Sequence, residues 1–193
     1  MRLVMASANP HKAAEIAAVL REAMPSVEIL PRPSQLGDVA EDGETLEENA
    51  LIKARFVFAA AGEPSIADDT GLEVDALGGA PGVHSARYAG PEADPVANLA
   101  KLMAALEGVP YSERRARFRT VAAVVLCGGS EVLADGVVEG TIALSQRGDG
   151  GFGYDPVFVP DEAAPLTFAE MSADAKNHIS HRGRALRALA AQL

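Results

Sequence analysis

The sequence predicts an α/β fold built on a mixed β-sheet. Two observations carry that expectation. Through the first part of the chain, short apolar runs alternate with stretches whose apolar residues recur at helical spacing. Two long strand-like runs then lie on either side of Gly128-Gly129-Ser130, the chemistry of a hairpin turn.

Each element has a local reason. Residues 2–7 read as a short buried strand. Asn9 is a good helix N-cap and Pro10 a good first helical residue, and the helix runs to about residue 23 with Ile16, Val19 and Leu20 on one face. A second strand covers 27–30, and a loop over 31–43 ends in Glu41-Asp42-Gly43. A second helix spans about 44–61, closed by Gly62. Two strands follow, around Ile66 and Val74, with the turn-like Asp68-Asp69-Thr70-Gly71 between them. The third helix covers 95–106, with Gly108 beyond its end. The long strands are 116–127 and 131–144, and a short one is 157–159. Ser172 caps a short helix through Asn177, and Ser180 caps a terminal helix with Ala185, Leu186 and Leu189 facing inward.

A chain of 193 residues suits a single domain over 1–193, with room for a small second lobe. It is 48% apolar and 23% charged, as globular proteins are. The net charge of −10 argues against broad binding to a nucleic-acid polymer or an anionic membrane. A small anionic substrate remains possible where local basic residues and a divalent cation receive it. The one cysteine, Cys127, lies in an apolar run and reads as buried filler, so no disulfide forms within the chain and a reducing compartment fits. The start of the chain turns polar too soon for a signal peptide, and no apolar run reaches membrane-spanning length. The expected location is cytoplasmic.

Four constellations carry chemistry. Asp68 and Asp69 end an apolar run, where carboxylates are costly unless paired; they read as metal-binding or catalytic groups, or as a solvated turn. Lys53 shares a helical stripe with Leu46, Ala50 and Val57, with Asn49 one turn away. It needs a partner, for which Glu41-Asp42 and Asp68-Asp69 are candidates, or it snorkels to the helix edge. Ser7-Ala8-Asn9-Pro10-His11-Lys12 joins a strand end to a helix N-terminus, a setting that favours phosphate, or forms a capped helix with a surface lysine; it is not a P-loop. The segment 148–156 formally contains G-x-G-x-x-G, but Pro156 forbids the helix that a dinucleotide site needs. Its glycines suggest close backbone approach to a ligand, with Phe152 and Tyr154 stacking on a base and Asp155 accepting from it; alternatively it is a loop with two core aromatics. Near the C-terminus, His178 and His181 raise a zinc question that no further ligand motif supports, and Lys176, Ser180, His181 and Arg182 suit a polar planar group or a phosphate better.

Taken in order, SANPHK, AEDGETLEENALIKA, SIADDTGLEVDALGGAPGVHSARYAG, GGFGYDPVF and KNHISHRGRAL closely resemble the inosine triphosphate pyrophosphatase family over essentially the whole chain. The resemblance implies an elongated mixed α/β fold of two lobes with a cleft between, usually a homodimer. It implies Mg²⁺-dependent hydrolysis of the non-standard purine triphosphates ITP, dITP and XTP to monophosphate and pyrophosphate, which cleanses the nucleotide pool. By motif, residues Ser7, Ala8, Asn9, Pro10, His11 and Lys12 would hold the triphosphate. Glu41 and Asp69 would bind magnesium, Asp69 would also be the general base, and Lys53 and Asp68 would sit beside metal and phosphates. Thr70 would contact substrate where many relatives have serine, which keeps the hydroxyl. Phe152 would stack on the base, Gly153, Tyr154 and Asp155 would frame it, and Lys176, His181 and Arg182 would line its pocket. Two rivals stand beside this reading. Asp69-Thr70-Gly71 matches the D-[ST]-G of aspartic proteases, which need two aspartates sharing a proton. A non-catalytic nucleotide-binding regulator is the other.

Overall fold

The computed structural model describes residues 1–92 and 94–193. The elements are β1 (Arg2–Met5), α1 (Pro10–Ala23), β2 (Glu28–Leu30), α2 (Leu46–Ala61), β3 (Ser65–Val74), β4 (Pro81–Gly82), α3 (Pro95–Ala105), β5 (Arg115–Val125), β6 (Glu131–Ile142), β7 (Phe158–Pro160), α4 (Ala173–Ile179) and α5 (His181–Ala190). The sheet runs β2-β1-β3-β5-β6-β7, with β4 paired to β3. β1 is parallel to β2 and β3, whereas β4 runs antiparallel to β3 and β7 to β6. The fold is therefore α/β with a mixed sheet, as the sequence predicts.

Helix ends follow from their residues. Asn9 Oδ1 accepts the N–H groups of His11 and Lys12 at the start of α1, with Pro10 as first residue. α2 starts at Leu46, two residues later than expected, because Thr45 and Glu48 form a reciprocal capping box. It ends at Gly62, whose φ of 68° suits glycine.

Two expectations are corrected. β3 is one strand of ten residues, not two, so Asp68 and Asp69 lie in its middle rather than in a turn. Turn chemistry loses there because both carboxylates find cationic partners. Cys127 is exposed rather than buried: β5 ends at Val125 and the chain turns through Gly128 and Gly129, both at positive φ.

The chain divides into two compact units, the first made of Met1–Asp69, Thr120–Gly136 and His181–Leu193, the second of Thr70–Arg119 and Val137–Ser180. In the first unit residues 3–5 of β1 and 65–69 of β3 are buried on both faces, as parallel strands are. Leu3 and Met5 of β1 and Ile66 of β3 pack with Ile16, Val19 and Leu20 of α1 and Ala185, Leu186 and Leu189 of α5. Their neighbours in sequence, Val4, Ala6 and Ala67, pack with Ala54 and Val57 of α2. Each fully buried leucine or isoleucine here contributes roughly 1.5–3 kcal/mol. The second unit has its own core, in which Phe118 meets Phe158 edge-on at 4.7 Å between centroids and Phe158 lies 5.1 Å from Phe168.

Candidate active site

Strand geometry sends adjacent side chains to opposite faces of a sheet. Ile66 belongs to the α1/α5 side of the first unit and Ala67 to the α2 side. Two residues on, the alternation continues: Asp68 meets α1 and α5, while Asp69 meets α2. Asp68 Oδ2 accepts from Arg182 Nε of α5 at 3.0 Å and lies 3.6 Å from Lys12 Nζ of α1. Arg182 also donates to Glu15 of α1. Asp69 Oδ1 accepts from Lys53 Nζ of α2 at 2.8 Å, and the same ammonium donates to Glu41 Oε2 at 3.1 Å. Lys53 is 7% exposed, so it is held by carboxylates and does not snorkel.

The electrostatics separate the two aspartates. Burial alone would raise Asp68, but the charges of Lys12, Arg182 and Lys53 overcome it and hold its carboxyl far below the usual range. Asp69 is shifted upward, because its burial outweighs what Lys53 and Lys12 return. Lys12 is pushed down by burial, and the attraction of Asp68 restores only part of that shift. Lys53 is desolvated too, yet Asp69 and Glu41 raise it. Because the neighbouring carboxylates have separate partners on separate sheet faces, they are not built to share a proton with each other, and an aspartic-protease site would need a second copy of the chain.

Glu41 and Asp69 converge on one ammonium, so hard carboxylate oxygens already share a single cation. Mg²⁺ favours one or two carboxylates completed by substrate phosphates and water, and the pair fits that chemistry. No group of three or more His, Cys, Asp or Glu suited to a metal occurs among the described residues.

The strand-to-helix loop is polar and open. Ala8, Asn9, Pro10 and His11 are exposed, and Ser7 and Lys12 are half-buried. The first free N–H groups of α1 are turned onto Asn9 itself, and Ser7 Oγ accepts from Asn9 N at 3.3 Å. Of the alternatives the sequence left open, the capped helix end is present, with Lys12 drawn inward to Asp68 rather than lying on the surface.

The second unit gathers the other set. Asp155 Oδ2 accepts from Phe152 N at 2.8 Å and from Lys176 Nζ at 2.7 Å. Lys176 Nζ also lies 4.9 Å from the Phe152 ring centroid, which leaves Phe152 half-buried beside a cation. Tyr154 differs from the stacking role expected of it. Its ring lies in the core and its hydroxyl donates to Ser85 O at 2.8 Å, so it holds the loop in place. The glycines also have a reason within the fold: a Cβ on Gly150 would meet Ala169 O at 2.8 Å, one on Gly148 would meet Glu170 N at 2.7 Å, and Gly153 has φ of 62°. Thr70 is half-buried. His181 is buried at the start of α5, in the first unit with Arg182.

Sequence reasoning missed Glu15 as the second partner of Arg182 and Arg32 as an organiser of the loop after β2. Arg32 donates to Ala6 O, Leu36 O and Gly37 O. Glu15 has no local signal, since it and Arg182 are 167 positions apart.

Comparison with known proteins gives a consistent picture. The family model described as "Ham1 family" matches residues 3–192. The chain is 50% identical over 189 residues to a dITP/XTP pyrophosphatase of Geobacter sulfurreducens, covering 96% of this chain and 92% of that one. It is 52% identical over 193 residues to a dITP/XTP pyrophosphatase of Mycolicibacterium paratuberculosis, covering 97% and 93%. Among solved structures, a HAM1 protein from Coxiella burnetii superposes with a TM-score of 0.86 at 41% identity, covering 100% of this chain and 98% of that one.

Proposed function

The chain belongs to the Ham1 family, and on that premise we propose that it hydrolyses the non-standard purine nucleoside triphosphates ITP, dITP and XTP to monophosphate and pyrophosphate. The observation that best supports this is the trio of buried Lys53 and Asp69 with half-buried Glu41, beside Asp68 at the neighbouring position of β3 and its partner Lys12 of α1. It combines acceptors for one cation with cations for phosphate, the demand that phosphoryl transfer makes.

In the proposed reaction, water attacks the α-phosphorus, the α–β anhydride bond breaks and pyrophosphate leaves. Asp69, half-neutralised by Lys53, takes the proton of the attacking water. Lys12, Lys53 and the Ser7–Lys12 loop hold the phosphate charge; Asn9 would have to release N–H groups of α1 for these to take part. Magnesium is the metal we propose, held by Glu41 and Asp69, and it would supply charge neutralisation on the phosphates. Asp68 keeps Lys12 and Arg182 in place. Thr70 is assigned to substrate contact. To the base we assign Phe152, Gly153, Asp155 and Lys176, with Tyr154 as their support, and His181 and Arg182 by resemblance.

No helix among the described residues is long and apolar enough to cross a membrane. We place the protein in the cytoplasm, acting on free nucleotides rather than on nucleic-acid polymers or membranes, as one catalytic domain over 1–193 and as a homodimer whose interface includes the loop over 78–90 with Val83 and Tyr88. The test is a panel of triphosphates with Mg²⁺, products resolved by chromatography. Monophosphate and pyrophosphate from ITP and XTP are expected. Diphosphate with orthophosphate would overturn the reading.

A further inference from the structure

We propose that Asn49 is a positioning residue that sets Glu41 for its cation, by clamping the main chain at Gly43 to the same face of α2 that carries Lys53. The proposal rests on the reading of Glu41 as a metal-binding carboxylate. Residues 31–45 contain no helix or strand, so the placement of Glu41 depends on side chains that pin the loop. Arg32 pins one side, donating to Leu36 O at 2.8 Å and to Gly37 O at 2.6 Å. Asn49 pins the other: its Oδ1 accepts from Gly43 N at 2.9 Å and its Nδ2 donates to Gly43 O at 3.4 Å. The free span between the pins is short, and Glu41 lies two residues from the Asn49 clamp.

Asn49 is 1% exposed, a buried amide whose bonds go to the backbone of one residue of the loop. Positions i and i+4 of a helix share a face. Asn49 and Lys53 are so spaced: one turn of α2 fixes the main chain beyond Glu41, and the next fixes its carboxylate. The fit is close. A Cβ on Gly43 would meet Glu48 Cβ at 2.7 Å and Asn49 Oδ1 at 2.9 Å, so position 43 tolerates no side chain without moving the loop. The neighbouring capping box adds Glu48 as acceptor for Glu44 N and Thr45 N, which continues the same tether into the helix.

The test uses two variants that displace the loop by different routes. Asn49→Ala removes the clamp from the helix side; Gly43→Ala keeps every side chain of α2 and wedges the loop away from it. Amide hydrogen exchange of the metal-free protein reads the clamp, and Mn²⁺ binding in the presence of a non-hydrolysable ITP analogue reads its consequence. Faster exchange at 41–44 with α2 protection retained is expected in both variants. Mn²⁺ affinity should fall by about 10–100-fold, as when an outer partner of a metal ligand is removed, and excess Mg²⁺ should restore turnover. Glu41→Gln should weaken Mn²⁺ binding and resist such rescue. If Glu41→Gln leaves Mn²⁺ affinity unchanged, the metal reading itself fails. If Glu41→Gln weakens binding while Gly43→Ala binds Mn²⁺ as the parent does, the positioning proposal alone is overturned.

Discussion

At the scale of single residues, the adjacent aspartates have different tasks and should fail differently. Asp69→Asn removes the proposed base and a metal-binding oxygen; turnover should fall by at least ~10²-fold with the fold retained, read by pyrophosphate release beside circular dichroism. Arg182 gives the opposite signature in stability. It is 2% exposed and joins Asp68 to Glu15, so Arg182→Ala takes the guanidinium from both and leaves Lys12, 3.6 Å away, to face the buried Asp68. The loss should be about 3–5 kcal/mol, measured by urea unfolding. The sequence showed that Lys53 sits in an apolar stripe and needs a partner, and it narrowed the partner to four acids. It showed nothing of Glu15, because a contact across the chain has no periodicity to betray it. Tyr154 and the loop glycines pointed to a ligand in the sequence, since a buried hydroxyl bonded to Ser85 and a backbone pressed on Ala169 use the same residue types that a ligand pocket would.

At the scale of elements, caps were the most legible features and strand continuity the least. Asn9-Pro10 and Gly62 marked the limits of α1 and α2 because those residues satisfy orphan backbone groups or tolerate a left-handed φ by themselves. In sequence β3 reads as two pieces, since Asp-Asp-Thr-Gly is locally turn-forming; the cations that keep it extended come from α1, α2 and α5. The exposure of Cys127 was hidden for a related reason: apolar residues continue past the last paired position of β5. The α2 cap can be weighed directly. Thr45→Ala removes the side-chain acceptor of Glu48 N at an exposed site, and it should cost ~1 kcal/mol in denaturant unfolding with little change in KM for nucleotide. A much larger loss of turnover than of stability would mean that the cap also acts on Glu41.

For the whole molecule, a chain of net charge −10 must draw in a polyanion, so its attraction has to be local. Lys12, Lys53 and Arg182 concentrate cations in the first unit and are matched there by buried acids, which suits an anion that brings its own divalent cation. Base choice follows from donors. Hypoxanthine and xanthine carry an acceptor oxygen where adenine carries an amino group, and Lys176 offers only donors. ITP and XTP should exceed ATP in kcat/KM by ~10²–10⁵, the range open to a site that leaves polar groups unpaired on the wrong base. Equal rates on ATP and ITP would refute this account of the second unit.

The core of the first unit also bears on how the protein is made. Leu3, Met5, Ile16 and Leu20 are covered by Ala185, Leu186 and Leu189 of α5, which is translated after every other described element. At about 5–20 residues per second, the greasy side of α1 and β1 waits roughly ten seconds or more on the ribosome before its lid is synthesised. The nascent chain thus displays a sticky face for most of its synthesis, a window in which chaperone capture or aggregation competes with folding. A ribosome stalled before α5 should hold a chain that proteases cut freely, whereas release of the full length should bring resistance at once.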